Sequence, residues 1–159
     1  MRKTIILLAI IVVSGILFSN VYTSMVDARN WGSDIPDSLV AARAYFSVAN
    51  PGNFFRVFSP ASQVIALLAL ILCFRAGSRV RIYLGLALLL GILVDVFTFG
   101  YFYPRNDIMF VQPLADNETL RAAWQGWSTM NWLRSGMIAV QLLLDCLALL
   151  AVTRPPTEK

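Results

Sequence analysis

Four long stretches with few charged residues constrain this chain more than any other feature. They cover about residues 4–24, 54–74, 81–103 and 131–152. A helix that crosses the hydrocarbon core of a bilayer needs about 20 mostly apolar residues. Runs such as IALLALIL, residues 65–72, show none of the alternation that a membrane β-strand requires. The sequence therefore predicts an all-α integral membrane protein, a four-transmembrane-helix bundle in one domain over residues 1–159.

Composition and the lack of histidine exclude several classes of protein. Apolar residues make up 58% of the chain and charged residues 14%, against roughly half and a quarter in soluble proteins, which excludes a soluble enzyme. Without histidine, histidine-ligated metal and haem sites and nucleophiles that need a histidine base are excluded. Cys73 and Cys146 stand alone in apolar runs, which argues against a membrane disulfide oxidoreductase. We expect no metal and no cofactor.

Basic residues are distributed unevenly about the predicted spans. One side carries an almost pure set of them, opposed only by Glu158: Arg2, Lys3, Arg75, Arg79, Arg81, Arg154 and Lys159. The first stretch has no clear cleavage site after it, so we interpret it as a span and not as a signal peptide. By the positive-inside rule both termini are predicted to be cytoplasmic, and the compact loops suggest a bacterial inner membrane. The expected partner is therefore membrane lipid and not nucleic acid.

Two long outer loops are predicted, and each is expected to contain a short helix. In the first loop, Asp37 or Ser38 can cap a helix that lies on the membrane surface or on the bundle. In the second, Asp116 or Asn117 can cap a helix that continues into the fourth span. Most aromatic residues lie at the outer half, whereas an interfacial belt would serve both surfaces. This excess predicts an aromatic cap over the bundle.

Ionisable residues inside a membrane are costly, by about 2.5–3.5 kcal/mol on insertion scales, and need a partner or a function. In the fourth span the polar residues Asn131, Arg134, Gln141 and Asp145 share one helical face with Ile138 and with Trp127, which precedes the span. An ion pair of Arg134 with Asp95 of the third span is the simplest neutralisation. Asn20 and Gln63 fall at similar outer depths. For Asp145, a structural contact with the arginines of the short inner connection, or with water, is favoured.

Several of these residues form patterns that resemble a known family. Trp127-x-x-x-Asn131-x-x-Arg134 opens the final span, and Pro104-Arg105-Asn106-Asp107-Ile108 follows the third. Together with Asn20 and Tyr22 in the first span, these patterns resemble the anthrone-oxygenase-like family of four-span membrane proteins, which is mostly known as a domain of unknown function. The resemblance covers most of the chain in layout.

The resemblance implies that a phenolic or anthrone-like substrate is oxidised by O₂ without metal or flavin. A base would deprotonate the substrate, and a cation or hydrogen-bond donor would stabilise the resulting anion. Arg134 and Asn131 would orient and stabilise that anion, and Asp95 would be the base. The ligand-binding residues would be Trp127, stacked on the ring, with Asn106, Asn20, Tyr22, Gln63 and Gln141. Whether the protein is an enzyme at all stays open.

A non-enzymatic role is the alternative: binding of a lipid or a quinone, or support of a partner protein. A homo-oligomer is also open, and a transporter would need one because four spans are too few for most carriers. A closed outer pocket lined by Arg134, Asn131, Asp95 and aromatic side chains would favour a small-molecule site. Tight packing with every polar group paired would favour a structural role.

Overall fold

The computed structural model describes residues 1–111 and 113–153, and every regular element within these ranges is a helix. The helices are α1 (Arg2–Trp31), α2 (Asp37–Tyr45), α3 (Pro51–Cys73), α4 (Ser78–Val111) and α5 (Asn117–Thr153). The charges predicted to follow the last span, at Arg154, Glu158 and Lys159, lie outside the described residues.

Four of the helices, α1, α3, α4 and α5, are long and apolar enough to cross a membrane. The prediction of an all-α, four-transmembrane-helix bundle is therefore confirmed. Helix α1 packs against α3 and α5, and α4 packs against the same two helices, so the four form a closed ring. We call the end at which α1 ends and α3 begins the outer end, because the two long connections lie there.

Two spans continue further than the sequence predicts. Helix α1 runs to Trp31 and α4 runs to Val111, through positions expected to begin the outer loops. The extra turns carry core residues: Ala28 and Met109 are each 0% exposed. Most helical stability in proteins comes from packing of an apolar face, so burial prolongs these helices beyond the membrane-length segment.

The helix starts confirm one predicted cap and correct another. Helix α5 begins directly after Asp116, whose carboxylate accepts a hydrogen bond from the Thr119 backbone N–H at 2.9 Å. Helix α2 begins at Asp37 itself and has no side-chain cap. The Ser38 hydroxyl donates instead to the Trp31 carbonyl oxygen at 2.6 Å. The predicted cap of α2 is wrong because this serine ties the helix back to the end of α1.

The outer connections fold over the bundle and enclose an apolar core, which we call the outer core: Ala28, Trp31, Ile35, Leu39, Phe102, Met109, Leu120, Ala123 and Trp127. The rings of Phe110 and Trp127 meet Trp31 edge-on, with centroids 5.0 and 5.2 Å away. Arg43 of α2 donates from Nε to the Met109 carbonyl oxygen at 2.7 Å. Helix α2 therefore lies on the bundle, and the predicted aromatic cap is present.

The inner half is packed with small and aliphatic side chains, among them Ile6, Ala69, Cys73, Val80, Leu84 and Ala148. Its short connection turns at Gly77, whose φ of 125° is a conformation that glycine adopts without a steric cost. Arg2 Nε donates to the Leu72 carbonyl oxygen at 3.2 Å. This bond holds the inner ends of α1 and α3 together.

Candidate functional site

A group of polar side chains, which we call the Arg134 cluster, lies in the outer half where α1, α4 and α5 meet. It consists of Asn20, Ser24, Thr98, Asn131, Arg134 and Ser135. All of these residues except Thr98 are buried. Asn131 and Arg134 both point into the bundle because residues three apart share one face of a helix.

Two asparagines join α1 to α5 in a reciprocal pair. Asn20 Nδ2 donates to the Ser135 hydroxyl at 2.7 Å, and Asn131 Nδ2 donates to the Ser24 hydroxyl at 2.6 Å. Each asparagine also donates to the main-chain oxygen of the other, at 3.4 and 3.2 Å. Both side chains are 0% exposed, so these bonds replace those that water would supply. They fix the register of α1 against α5.

The guanidinium of Arg134 is held by neutral oxygens. Nη2 donates to Oδ1 of Asn20 at 2.7 Å and to Oδ1 of Asn131 at 2.5 Å. Nη1 donates to the Thr98 hydroxyl at 3.4 Å. The guanidinium carbon also lies 4.0 Å from the centroid of the Phe102 ring, a placement that stabilises a cation. The positive charge is therefore solvated by dipoles and a ring, without a contacting carboxylate.

Two buried N–H groups in this region have no hydrogen-bond acceptor among the described residues. They are Nε of Arg134 and Nε1 of Trp127. Seven residues, two helical turns, separate them on α5, and the Arg134 guanidinium carbon is 5.9 Å from the Trp127 ring centroid. Nearly all buried donors in proteins are paired, and an unpaired one costs about 1–3 kcal/mol. The described residues therefore supply no hydrogen-bond acceptor for either donor.

Asp95 is not the ion-pair partner of Arg134. Its carboxylate accepts a hydrogen bond from the Ser59 hydroxyl at 2.5 Å and another from the Gln63 side-chain amide, both on α3. No contact within 4 Å joins this carboxylate to Arg134 in the part of the chain described. The predicted ion pair is wrong because α3 supplies closer donors, and Asp95 attracts the arginine only over a longer distance.

Two π-helical segments flank the Arg134 cluster, Thr23–Asp27 in α1 and Thr98–Phe102 in α4. The hydroxyls of Thr23 and Thr98 donate to the carbonyl oxygens four residues earlier, at 2.9 and 2.8 Å. Such bonds compete with the regular helical ladder. The second segment places Phe102 beside the arginine. Interruptions of this kind are frequent at functional sites.

An apolar groove of about 900 Å³ opens beside the cluster, between α1, the end of α2 and the start of α3. Its aromatic lining residues are Phe18, Tyr22, Tyr45, Phe46, Phe54 and Phe55. The centroid of the Phe55 ring also lies 5.8 Å from the Arg134 guanidinium carbon. Phe55 thus touches the groove on one side and approaches the cluster on the other. Asp27 is the carboxylate in the described lining.

The structure brings together four of the predicted site residues: Asn20, Trp127, Asn131 and Arg134. Tyr22 is two residues from Asn20 but lies outside this group, 58% exposed, where it lines the groove. The residues implied by the resemblance are therefore divided: these four are buried together, and Tyr22 lies in the open groove.

Three predicted ligand-binding residues lie away from the cluster. Gln63 Nε2 is 3.5 Å from the Gly91 carbonyl oxygen. Gln141 lies next to the same glycine, where an added Cβ would be 3.2 Å from its Nε2. Asn106 is eight residues beyond Thr98 on α4, about 12 Å along a helix. The common helical face predicted for α5 is confirmed. Gln141 lies on that face seven residues beyond Arg134, towards the inner end, and is therefore separated from the cluster.

The polar face of α5 also contains Asp145, in the inner half. This side chain is 0% exposed, and neither carboxylate oxygen has a hydrogen-bond partner among the described residues. Arg75 and Arg79 are exposed at the inner end. The predicted contact with these arginines is wrong because Asp145 points into the closed bundle, and the predicted contact with water stays a prediction.

Sequence reasoning missed several residues of the site, and some of these could have been found from helical spacing. The serines Ser24 and Ser59 each lie four residues from a predicted polar residue, so helical spacing could have found them. Ser135 lies four residues after Asn131, so the same spacing could have found it. Phe55 is one of several phenylalanines near the start of α3, and only the packing of α3 on the bundle distinguishes it.

Comparisons of the chain with protein-family models, curated proteins and solved structures found no match. The resemblance to the anthrone-oxygenase-like family therefore stays a prediction. What the Arg134 cluster does has to be argued from its own geometry.

Proposed function

We propose that this protein binds a small aromatic molecule with an acceptor oxygen, such as a phenolate or a quinone, in the outer half of the bundle. The observation that carries the proposal is the pair of unpaired donors, Arg134 Nε and Trp127 Nε1. Acceptor oxygens of a ligand would supply the missing hydrogen bonds and, if anionic, would offset the charge of the arginine. Aromatic walls with a few polar groups that converge on one point are typical of small-molecule sites.

The apolar groove supplies the route to these donors. It is open to the outside of the bundle, and Phe55 borders both the groove and the arginine. The proposal requires this side chain to move, and aromatic side chains change rotamer without movement of the backbone. The ring of the ligand would occupy the groove while its oxygen reaches the donors.

The same proposal places the bundle in a bacterial inner membrane with both termini in the cytoplasm. The exposed arginines of the short inner connection, Arg75, Arg79 and Arg81, support this orientation. The groove then lies in the outer leaflet, where lipid is the surrounding partner and an apolar ligand can enter sideways. The proposal includes a homo-oligomer only if the contacts between copies leave the groove accessible.

An anthrone-oxygenase-like reaction is the catalytic form of the proposal. The central CH₂ group of an anthrone becomes a carbonyl, O₂ supplies that oxygen, and the second oxygen atom leaves as water with the two hydrogens. A base must first remove a proton from the substrate. Asp27 borders the groove, whereas Asp95 is bound to α3 by two hydrogen bonds. Oxygen uptake by Asp27→Asn and Asp95→Asn variants identifies which carboxylate acts.

The test compares two tryptophans on α5, of which only one has a hydrogen-bond acceptor for its indole N–H among the described residues. Trp127 Nε1 has no acceptor, while Trp124 Nε1 donates to the Ala28 carbonyl oxygen at 2.6 Å. Replacement by phenylalanine removes either N–H group and keeps an aromatic ring. We expect Trp127→Phe to weaken binding of 1,8-dihydroxyanthraquinone about fivefold, the value of one hydrogen bond, without loss of stability. Trp124→Phe should leave binding unchanged and lower stability.

Binding is measured by quenching of tryptophan fluorescence in detergent, and mass spectrometry identifies small molecules that co-purify with each variant. Equal binding by wild type, Trp127→Phe and Trp124→Phe would contradict the proposal. Co-purification of bulk phospholipid alone, in equal amounts with Arg134→Ala, would favour the alternative that the cluster only joins helices. Interhelical hydrogen bonds in membranes are worth about 0.6 kcal/mol each, which is enough for that role.

A further inference from the structure

Asp145 is a buried carboxylate that the proposed ligand site does not use. It lies eleven residues from Arg134 on α5, about 16 Å along a helix. Between them, Ile138 packs with Val13 and Val94 in an apolar layer. The surroundings of Asp145 are therefore independent of the Arg134 cluster.

The hydrogen bonds of the outer half define what lies opposite Asp145. The bonds from Asn131 to Asn20 and from Arg134 to Thr98 set the register of α5 against its two antiparallel neighbours. Counted from these bonds, Ile6 of α1 and Ala87 of α4 lie at the depth of Asp145. Both are 0% exposed. The buried residues of α3 in this half are Ala66, Ala69 and Cys73.

These facing side chains include no positive charge. On α1 no titratable residue lies between Lys3 and Tyr22, and on α4 none lies between Tyr83 and Asp95. On α3 the stretch between Arg56 and Cys73 is likewise free of titratable residues. On α5 the neighbour is Cys146. The basic residues Lys3, Arg79 and Arg81 are exposed at the inner end.

Among the described residues, an ionised carboxylate in this position would have no hydrogen-bond donor, no neighbouring cation and no surface water. Burial of such an isolated charge is the most costly state available to the side chain, and the neutral acid is far less costly. We propose that Asp145 is a proton-binding site, occupied at neutral pH in the folded protein. Intramembrane acids that hold a proton in this way mark proton or cation pathways, so the site would release its proton when the inner half admits water or a cation.

Infrared spectroscopy of the full chain in detergent at pH 7 tests this assignment, because a protonated carboxylic acid has a carbonyl stretch that a carboxylate lacks. We expect this band in wild type and its complete loss in Asp145→Asn. Asp145→Ala, which matches the alanines around the site, gives a second variant in case the asparagine prevents folding. Asp95→Asn is the matched control in the outer half and should keep the band.

Absence of the band from the wild-type spectrum would overturn the proposal, whatever the variants do. A band that survives in Asp145→Asn or Asp145→Ala would also overturn it, because another group would then hold the proton. None of these spectra involves a ligand of the Arg134 cluster, so the result does not depend on the fate of the proposed function.

Discussion

The outer and inner halves of the bundle treat their buried polar groups in opposite ways. In the outer half, Asn20, Asn131 and Arg134 bind one another across two helices, and the groups left unpaired are N–H donors. Among the described residues of the inner half, Asp145 is buried without a hydrogen-bond partner, and its unpaired oxygens are acceptors. One half therefore lacks an acceptor oxygen and the other lacks a proton or a donor. Burial alone does not define a binding site. Whether the unpaired group is a donor or an acceptor determines which ligand group the site would bind.

The largest expected effect of a substitution lies in the outer half, at Asn131. Asn131→Leu removes three side-chain hydrogen bonds, to Asn20, Ser24 and Arg134. We expect the free energy of unfolding to fall by about 2–3 kcal/mol, from the lost bonds and from the arginine left with fewer acceptors. Unfolding by SDS in mixed micelles, followed by circular dichroism, measures the change.

Asp145→Leu is the matched substitution in the inner half and sharpens the comparison. The side chain that it removes has no hydrogen bond among the described residues, so we expect the free energy of unfolding to stay equal or to rise. Similar destabilisation by the two leucine substitutions would mean that both halves depend on their polar groups for stability. The contrast between a paired cluster and an isolated acid would then be lost.

The space around two glycines, one in each half, gives a further comparison. An added Cβ at Gly32 would overlap the Trp124 ring, whereas at Gly85 nothing lies within 4 Å. We expect Gly32→Ala to cost about 1–3 kcal/mol through overpacking of the outer core. Gly85→Ala should stabilise by up to about 1 kcal/mol because alanine is the better helix former. Thermal unfolding of both variants is the measurement, and an unaffected Gly32→Ala would show that the outer loops pack loosely on the bundle.

Most of the fold could be predicted from the sequence because it depends on segment length and apolar content. The bilayer-length requirement is stringent, so the four spans needed no tertiary information. Their outer ends did, since α1 and α4 continue through Trp31 and Val111. Those turns are stabilised by contacts between segments far apart in sequence, which local patterns do not contain.

The candidate site could be predicted only where helical spacing determines it. The face of α5 that carries Asn131 and Arg134 follows from residues three and four apart. The partners on other helices do not, because spacing gives no information about register between helices. Asp95 therefore looked like the natural partner of Arg134, although Ser59 and Gln63 of α3 lie closer to it. An ion pair inferred from depth alone competes with every polar group at that depth.

The smallest expected effect lies beyond both halves of the bundle, at the exposed start of α5. The Asp116 carboxylate accepts hydrogen bonds from the backbone N–H of Thr119 at 2.9 Å and from its hydroxyl at 2.8 Å. The backbone bond first, and the hydroxyl bond second, lower the pKa of Asp116. Because the folded pKa is below the ordinary value of about 3.9, the stabilising contribution is complete above that value. It is lost as the pH falls through the lowered pKa of the folded state.

We expect hydrogen exchange at the Thr119 amide to be slow at neutral pH and to lose protection in acid, after correction for the intrinsic rate. Asp116→Asn, which keeps an acceptor but no charge, should lose part of this protection at neutral pH and show little further change in acid. Asp37→Asn removes the same charge from the start of α2 and should leave Thr119 unaffected. If acid also reduced exchange protection around Asn131, this cap would be coupled to the Arg134 cluster, and the outer half could no longer be treated apart from the water-exposed start of its own helix.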